Sequence, residues 1–171
     1  MPGSVTRDKA NGPAPVIAFV GLGANLGDRR LAIESAIGAL AALHGSDVLR
    51  TSGLYRSASR GAEGPDYLNA VVELRTLLSP LALLHELQAI EAAHGRERSV
   101  PNAPRTLDLD LLLYGDLEVA LPELQVPHPR LHERAFVLHP LAELASDFVV
   151  PGRGRVADLR PMVGDQRIDR L

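Results

Sequence analysis

Between Leu107 and Tyr114 the chain reads LDLDLLLY, leucine alternating with aspartate before it closes on leucine and tyrosine. A period of two puts Leu107, Leu109, Leu111 and Leu113 on one face of a strand and Asp108 and Asp110 on the other. Such a strand belongs in a sheet with one face against the core and something polar against the other where the aspartates lie. The two aspartate Cα atoms fall ~6.5–7 Å apart. Aspartate is depleted in strands, and like charges on one face repel. A divalent cation turns that repulsion into attraction. Magnesium is usually held by one or two carboxylates plus substrate phosphates, and two carboxylates at this spacing suit a pair of ions. A solvated outer face accounts for the same pattern as well, and D-x-D alone does not choose between them.

The elements before this strand are well punctuated. VIAFVG, Val16–Gly21, reads as a buried strand, and GLGANLGD as a tight turn into a helix. That helix carries Ile33, Ala36, Ile37 and Leu40 on one face, and Gly45 follows where a cap is expected. Asp47–Ser57 is the second strand and Tyr67–Thr76 the third. In the third, Leu68, Ala70, Val72 and Leu74 face one way, Asn69, Val71, Glu73 and Arg75 the other. Ser79 is the expected N-cap of the second helix, Pro80 its first residue and Gly95 its end. Leu83, Leu84, Leu87 and Ile90 form its apolar stripe. The order is therefore β-α-β-β-α-β, the ferredoxin-like pattern: an α+β fold with an antiparallel sheet and both helices on one face. A C-terminal extension follows, with a helix near Phe136–Ala145 and a short one near Val156–Met162.

Composition narrows the classes. With 171 residues, 46% apolar and 23% charged, the chain suits one globular domain over residues 16–171, after a Pro/Gly/Ala-rich tail over 1–15 expected to be disordered. A net charge of −3 and 4% aromatics argue against a nucleic-acid surface. No apolar run is long enough for a membrane span. The lack of cysteine excludes disulfides, thiolate metal sites and a cysteine nucleophile, and it fits a cytoplasmic protein.

Around the aspartates stand residues suited to phosphate. Arg96, Arg98 and Arg105 lie in the loop and strand start before them, and arginine recognises phosphate bidentately. Carboxylates beside arginines describe a nucleoside triphosphate site better than a solvated edge; a solvated loop is the plainer alternative. VPHPRLHERAF brings His128, Arg130, His132 and Arg134 close in sequence, for phosphate contact or as an ordinary helix start. Asn69 shares the aspartates' face if the strands are neighbours, and its amide can read the edge of a heterocycle; Tyr67 on the same face can cover it. Gln88 and Glu91, on the flank of the second helix, read on their own as surface residues. GLGANLG departs from the dinucleotide spacing, and no P-loop motif occurs.

Five blocks in order, GANLGD, PDYLNAVVEL, QAIEAAHGRER, APRTLDLDLLLYGD and VPHPRLHERAF, resemble the 6-hydroxymethyl-7,8-dihydropterin pyrophosphokinase family of folate biosynthesis. The resemblance implies pyrophosphoryl transfer from ATP to the pterin hydroxymethyl group, giving AMP. It implies that Asp108 and Asp110 hold two magnesium ions. Arg96, Arg98, Arg105 and His128 are implied at the ATP phosphates, with Arg96 and Arg105 catalytic, and Gln88, Leu111 and Arg134 also on the nucleotide. Ser57, Tyr67 and Asn69 are implied at the pterin, Phe136 stacking on its ring, and Glu91 supporting. The expected partners are these small molecules, not nucleic acid or membrane, and the expected state is a monomer. Asn102 stands where the family often has tryptophan, and Ala103 where it has glycine.

Overall fold

Strand β1 (Val16–Ala24) runs through a six-stranded, wholly antiparallel sheet, flanked by β4 (Tyr67–Thr76) and β5 (Asp108–Tyr114). The computed structural model describes residues 13–58, 65–94 and 107–171. The expected second strand is divided into β2 (Ser46–Thr51) and β3 (Tyr55–Ser57), both paired to β4. The order across the sheet is β10-β3-β4-β1-β5; β10 (Ile168–Arg170) is added at the edge by the C-terminal extension, after two short hairpin pairs, β6 (Val119–Ala120) with β7 (Gln125–Val126) and β8 (Val149–Val150) with β9 (Gly154–Arg155).

Helices α1 (Arg29–Ala41) and α2 (Pro80–Ala93) cover one face, as the order of elements requires. Asp28 caps α1 through Leu31 N–H, and Ser79 caps α2 through Ala82 N–H. Against them pack Ala18, Val20 and Leu22 of β1, Leu68, Ala70, Val72 and Leu74 of β4, and Leu109 and Leu111 of β5. The alternation read from the sequence thus holds in both β4 and the start of β5.

The other face is shared out differently along its length. Helix α3 (Ala135–Ala145) and the short α4 (Val156–Leu159) cover one half, over Phe19, Val71, Leu112 and Leu113. Leu113 therefore faces away from α1 and α2, against the period-two expectation. Register explains it. Phe19 pairs with Leu113 but Val20 with Leu111, so Leu112 is an extra residue in β5 and resets the alternation. Tyr114 returns to the first face, where its hydroxyl donates to Leu78 O at 2.7 Å.

Beyond that bulge the second face changes character. Gly21 pairs with Val71 on one side and Asp110 on the other; Gly23 pairs with Asn69 and Asp108. On this face β1 runs Ile17, Phe19, Gly21, Gly23, from large side chains to none. At Gly21 the Leu112 side chain fills the space, its Cδ1 3.4 Å from where a Cβ would stand, so Gly23 is the glycine that leaves a floor without a side chain between Asn69 and Asp108. GLGANLGD is accordingly not all turn: β1 continues through Ala24, and only Gly27, φ 63°, serves the turn before Asp28.

Candidate active site

The floor has walls. On the β5 side Asp108 and Asp110 are half-buried at alternate positions, paired with Gly23 and Gly21. On the β4 side Asn69 is only 3% exposed. Its Nδ2 donates to Ser57 Oγ at 2.8 Å and to Tyr55 O at 3.3 Å. Both amide protons are therefore used within the protein, so Asn69 does not present the paired donor and acceptor that the sequence suggested; the group it has for a ligand is its carbonyl. A Cβ at Gly23 would stand 3.4 Å from that Oδ1 and 3.7 Å from Tyr67 Cδ1, which places both side chains beside the glycine floor. Asn69 and the Asp108 side are two strand spacings apart, ~9.5 Å, the scale of a bicyclic ring.

The outer edge of β5 is organised from α2 and from the loop before α3. Leu109 N–H, between the two aspartates, donates to Glu91 Oε2 at 2.8 Å. Glu91 is 2% exposed, so the expected surface role is replaced by a buried carboxylate holding the edge strand. Glu91→Ala leaves the Leu109 N–H buried without this acceptor, a loss on the order of 1–3 kcal/mol; the denaturant midpoint should fall at unchanged m-value. Leu111 packs its side chain against the helices. Two residues from Leu109, its peptide groups turn to the same outer edge, so its backbone and not its side chain is what it presents there. Gln88 is half-buried on α2.

His128 follows a cis Val126–Pro127 bond, and its backbone N–H donates to Leu112 O at 2.9 Å. Its Nδ1 accepts from Arg130 N–H at 3.2 Å, which sets the proton of the neutral ring on Nε2. Burial, then the Arg134 and Arg130 charges against the opposing pull of Asp108, push its pKa down from 6.5 to about 4. The imidazole is thus neutral at pH 7. The unfolded chain binds the proton first, so this contribution to stability is present above pH 6.5 and lost as pH falls through about 4. A histidine ring titration by NMR should show one residue, absent in His128→Asn, with its midpoint near that value.

Arg134 precedes α3 with its guanidinium carbon 5.3 Å from the Phe136 ring centroid. Phe136 itself is half-buried at the margin of the second core. Arg96, Arg98 and Arg105, with Asn102 and Ala103, lie outside the described residues, as does most of the 1–15 tail. Among the described residues no group of three or more His, Asp or Glu is disposed to hold a metal. A two-carboxylate set fits magnesium, which completes its shell with water and substrate phosphates and seldom uses a protein cage. No helix among the described residues is long and apolar enough to cross a membrane.

Residues 19–146 match the 7,8-dihydro-6-hydroxymethylpterin-pyrophosphokinase (HPPK) family profile. The chain belongs to that family. It is 48% identical over 138 residues to the 2-amino-4-hydroxy-6-hydroxymethyldihydropteridine pyrophosphokinase of Synechocystis sp., covering 81% of this chain and 71% of the relative. Against the Pseudomonas aeruginosa enzyme of the same name it is 43% identical over 154 residues, covering 90% and 95%. The fold matches Plasmodium falciparum HPPK-DHPS, solved with pterin and p-hydroxybenzoate, at a TM-score of 0.71 and 14% identity, over 93% of this chain. The chain spans less than half of that longer protein, 45% of its length.

Some of the residues that shape this face are not singled out in the sequence. Gly21 and Gly23 carried a signal: spacing of two in a strand puts both on one face. Glu91 is implied as supporting, but its burial is not foreseen, because it is set by where β5 lands. Glu143 and Gln166, both far from the motifs, carried no signal.

Proposed function

We propose that the chain transfers the pyrophosphoryl group of ATP to the hydroxymethyl group of 6-hydroxymethyl-7,8-dihydropterin, with magnesium held by Asp108 and Asp110. The family membership supports the reaction. The observation that carries the placement is the glycine floor, with the pterin-side residues on one flank and the aspartates on the other.

On this reading the pterin lies on Gly23, its edge against the Asn69 carbonyl. Ser57 holds the Asn69 amide in place, while Tyr67 and Phe136 bound the ring. ATP lies along the outer edge of β5, its base at the Leu111 backbone and Gln88. His128 Nε2–H and Arg134 meet the phosphates, joined by Arg96, Arg98 and Arg105 from the preceding loop. Two magnesium ions, when bound, supply charge neutralisation of the polyphosphate. The pterin hydroxyl oxygen forms its bond to the β-phosphorus as the bond from that phosphorus to the α-phosphate oxygen breaks, and AMP departs with the electron pair. Such transfer depends on alignment and on charge placed before the reaction, and asks little of a protein base. That suits a site whose described histidine is a neutral donor. The same reading takes the protein as a cytoplasmic, single-domain monomer.

The test is nucleotide product analysis with ATP, magnesium and the hydroxymethyldihydropterin. AMP formed only when the pterin is present, without free pyrophosphate, is the expected outcome. ADP, or pyrophosphate released in solution, would count against it.

A further inference from the structure

The chain's last segment lies beyond residue 146, where the family match ends, yet it reaches both flanks of the site. Strand β10 pairs with β3, setting Ile168 opposite Ser57 and Arg170 opposite Tyr55. Arg170 and Tyr55 both hydrogen-bond the Glu143 carboxylate of α3, at 3.2 and 2.7 Å, and Gly53 N–H adds a third bond at 3.0 Å. A Cβ at Gly53 would fall 2.7 Å from Arg170 Nη2, so glycine is what lets the guanidinium lie against this turn. These contacts fix the end of the chain across α3 and β3.

From that anchored segment Gln166 turns to the loop before α3. Its Nε2 donates to Glu133 O at 2.7 Å, and its Oε1 accepts from Ala135 N–H at 2.9 Å. One primary amide thereby takes the peptide groups on both sides of Arg134, as a neighbouring strand would. Arg134 is extended there, φ −123° and ψ 116°, and its own side chain makes no cap bond to α3. Ala135 N–H is one of the helix's orphan donors, and Gln166 satisfies it from sequence-distant chain. With both flanking peptides held, the Arg134 side chain leaves the backbone in one direction, towards the Phe136 ring.

We propose that Gln166 is a positioning residue for the nucleotide: it holds Arg134 aimed at the ATP phosphates. The inference rests on the assignment of Arg134 to ATP. Gln166 is exposed and belongs to neither core cluster, so its replacement frees the loop without opening a core cavity. Gln166→Met keeps the length and removes both bonds. Gln166→Glu keeps the acceptor and sets a carboxylate against the Glu133 carbonyl.

The experiment is steady-state kinetics and melting temperatures for Gln166→Met, Gln166→Glu, Arg134→Ala and the Gln166→Met/Arg134→Ala double variant. Both Gln166 variants should raise KM for ATP about tenfold with KM for the pterin and Tm unchanged. Arg134→Ala should raise it at least as much, and the double variant should be no worse than Arg134→Ala alone. A KM for ATP within twofold of the parent in both Gln166 variants, or losses that multiply in the double variant, would overturn the role of Gln166. A merely structural role would instead lower Tm. If Arg134→Ala leaves KM for ATP unchanged, the assignment of Arg134 is what fails, and the positioning role goes with it.

Discussion

Asp110→Ala and Asp108→Ala should each yield a folded protein whose pyrophosphoryl transfer is lower by a factor on the order of 10³ or more. Both residues pair with glycines of β1, beyond the part of the sheet whose core α3 covers. Removing a carboxylate there deletes no core contact, since the packing of β5 is carried by Leu109, Leu111, Leu112 and Leu113. Melting temperatures should accordingly stay within a few degrees of the parent. The sharper reading comes from ligand-dependent stability. A ligand that binds only the folded state raises Tm with concentration, so magnesium and ATP together should stabilise the parent and not the variants. Normal turnover in both variants would remove the aspartates from the chemistry.

Gly23→Val should separate the pterin from the nucleotide. The backbone at Gly23 is extended, so valine is conformationally welcome and β-branched residues favour strands. The obstacle is space. The new Cβ stands 3.4 Å from Asn69 Oδ1, and the two methyls beyond it occupy the floor between Asn69 and Asp108. KM for the pterin should rise by about 100-fold, or turnover should vanish, while magnesium-dependent ATP binding persists, as followed by calorimetry. Pterin KM near the parent value would mean the ring does not use this floor. Loss of ATP binding as well would mean the substitution disturbs β5, not the pterin flank alone.

The two expectations draw on different kinds of information in the chain. That β5 is a strand with aspartates on one face follows from alternation within eight residues, and α2 is bounded by its own Ser79 and Pro80. The βαββαβ order and the antiparallel sheet follow from counting such elements. Several blocks in family order also point to the chemistry, and family membership agrees. These features are local or collinear, so the sequence alone determined them.

What stayed hidden is set by register and by contacts between distant residues. The additional residue at Leu112 turns Leu113 over, because one unpaired position in a ladder inverts every side chain after it. Nothing in LDLDLLLY marks where that position falls. Gly23 reads as part of a turn until pairing with Asn69 and Asp108 shows it as a bare strand position between them. Glu91 reads as surface until β5 offers it the Leu109 N–H. The amide of Gln166 reaches residues 133 and 135 only because β10 pairs with β3 and brings the chain's end back across α3. Strand periodicity and helix caps are written within a few residues of the atoms they govern. A strand's register, and the burial of one carboxylate or one amide, depend on which distant segment packs against it, and tertiary structure alone decided those.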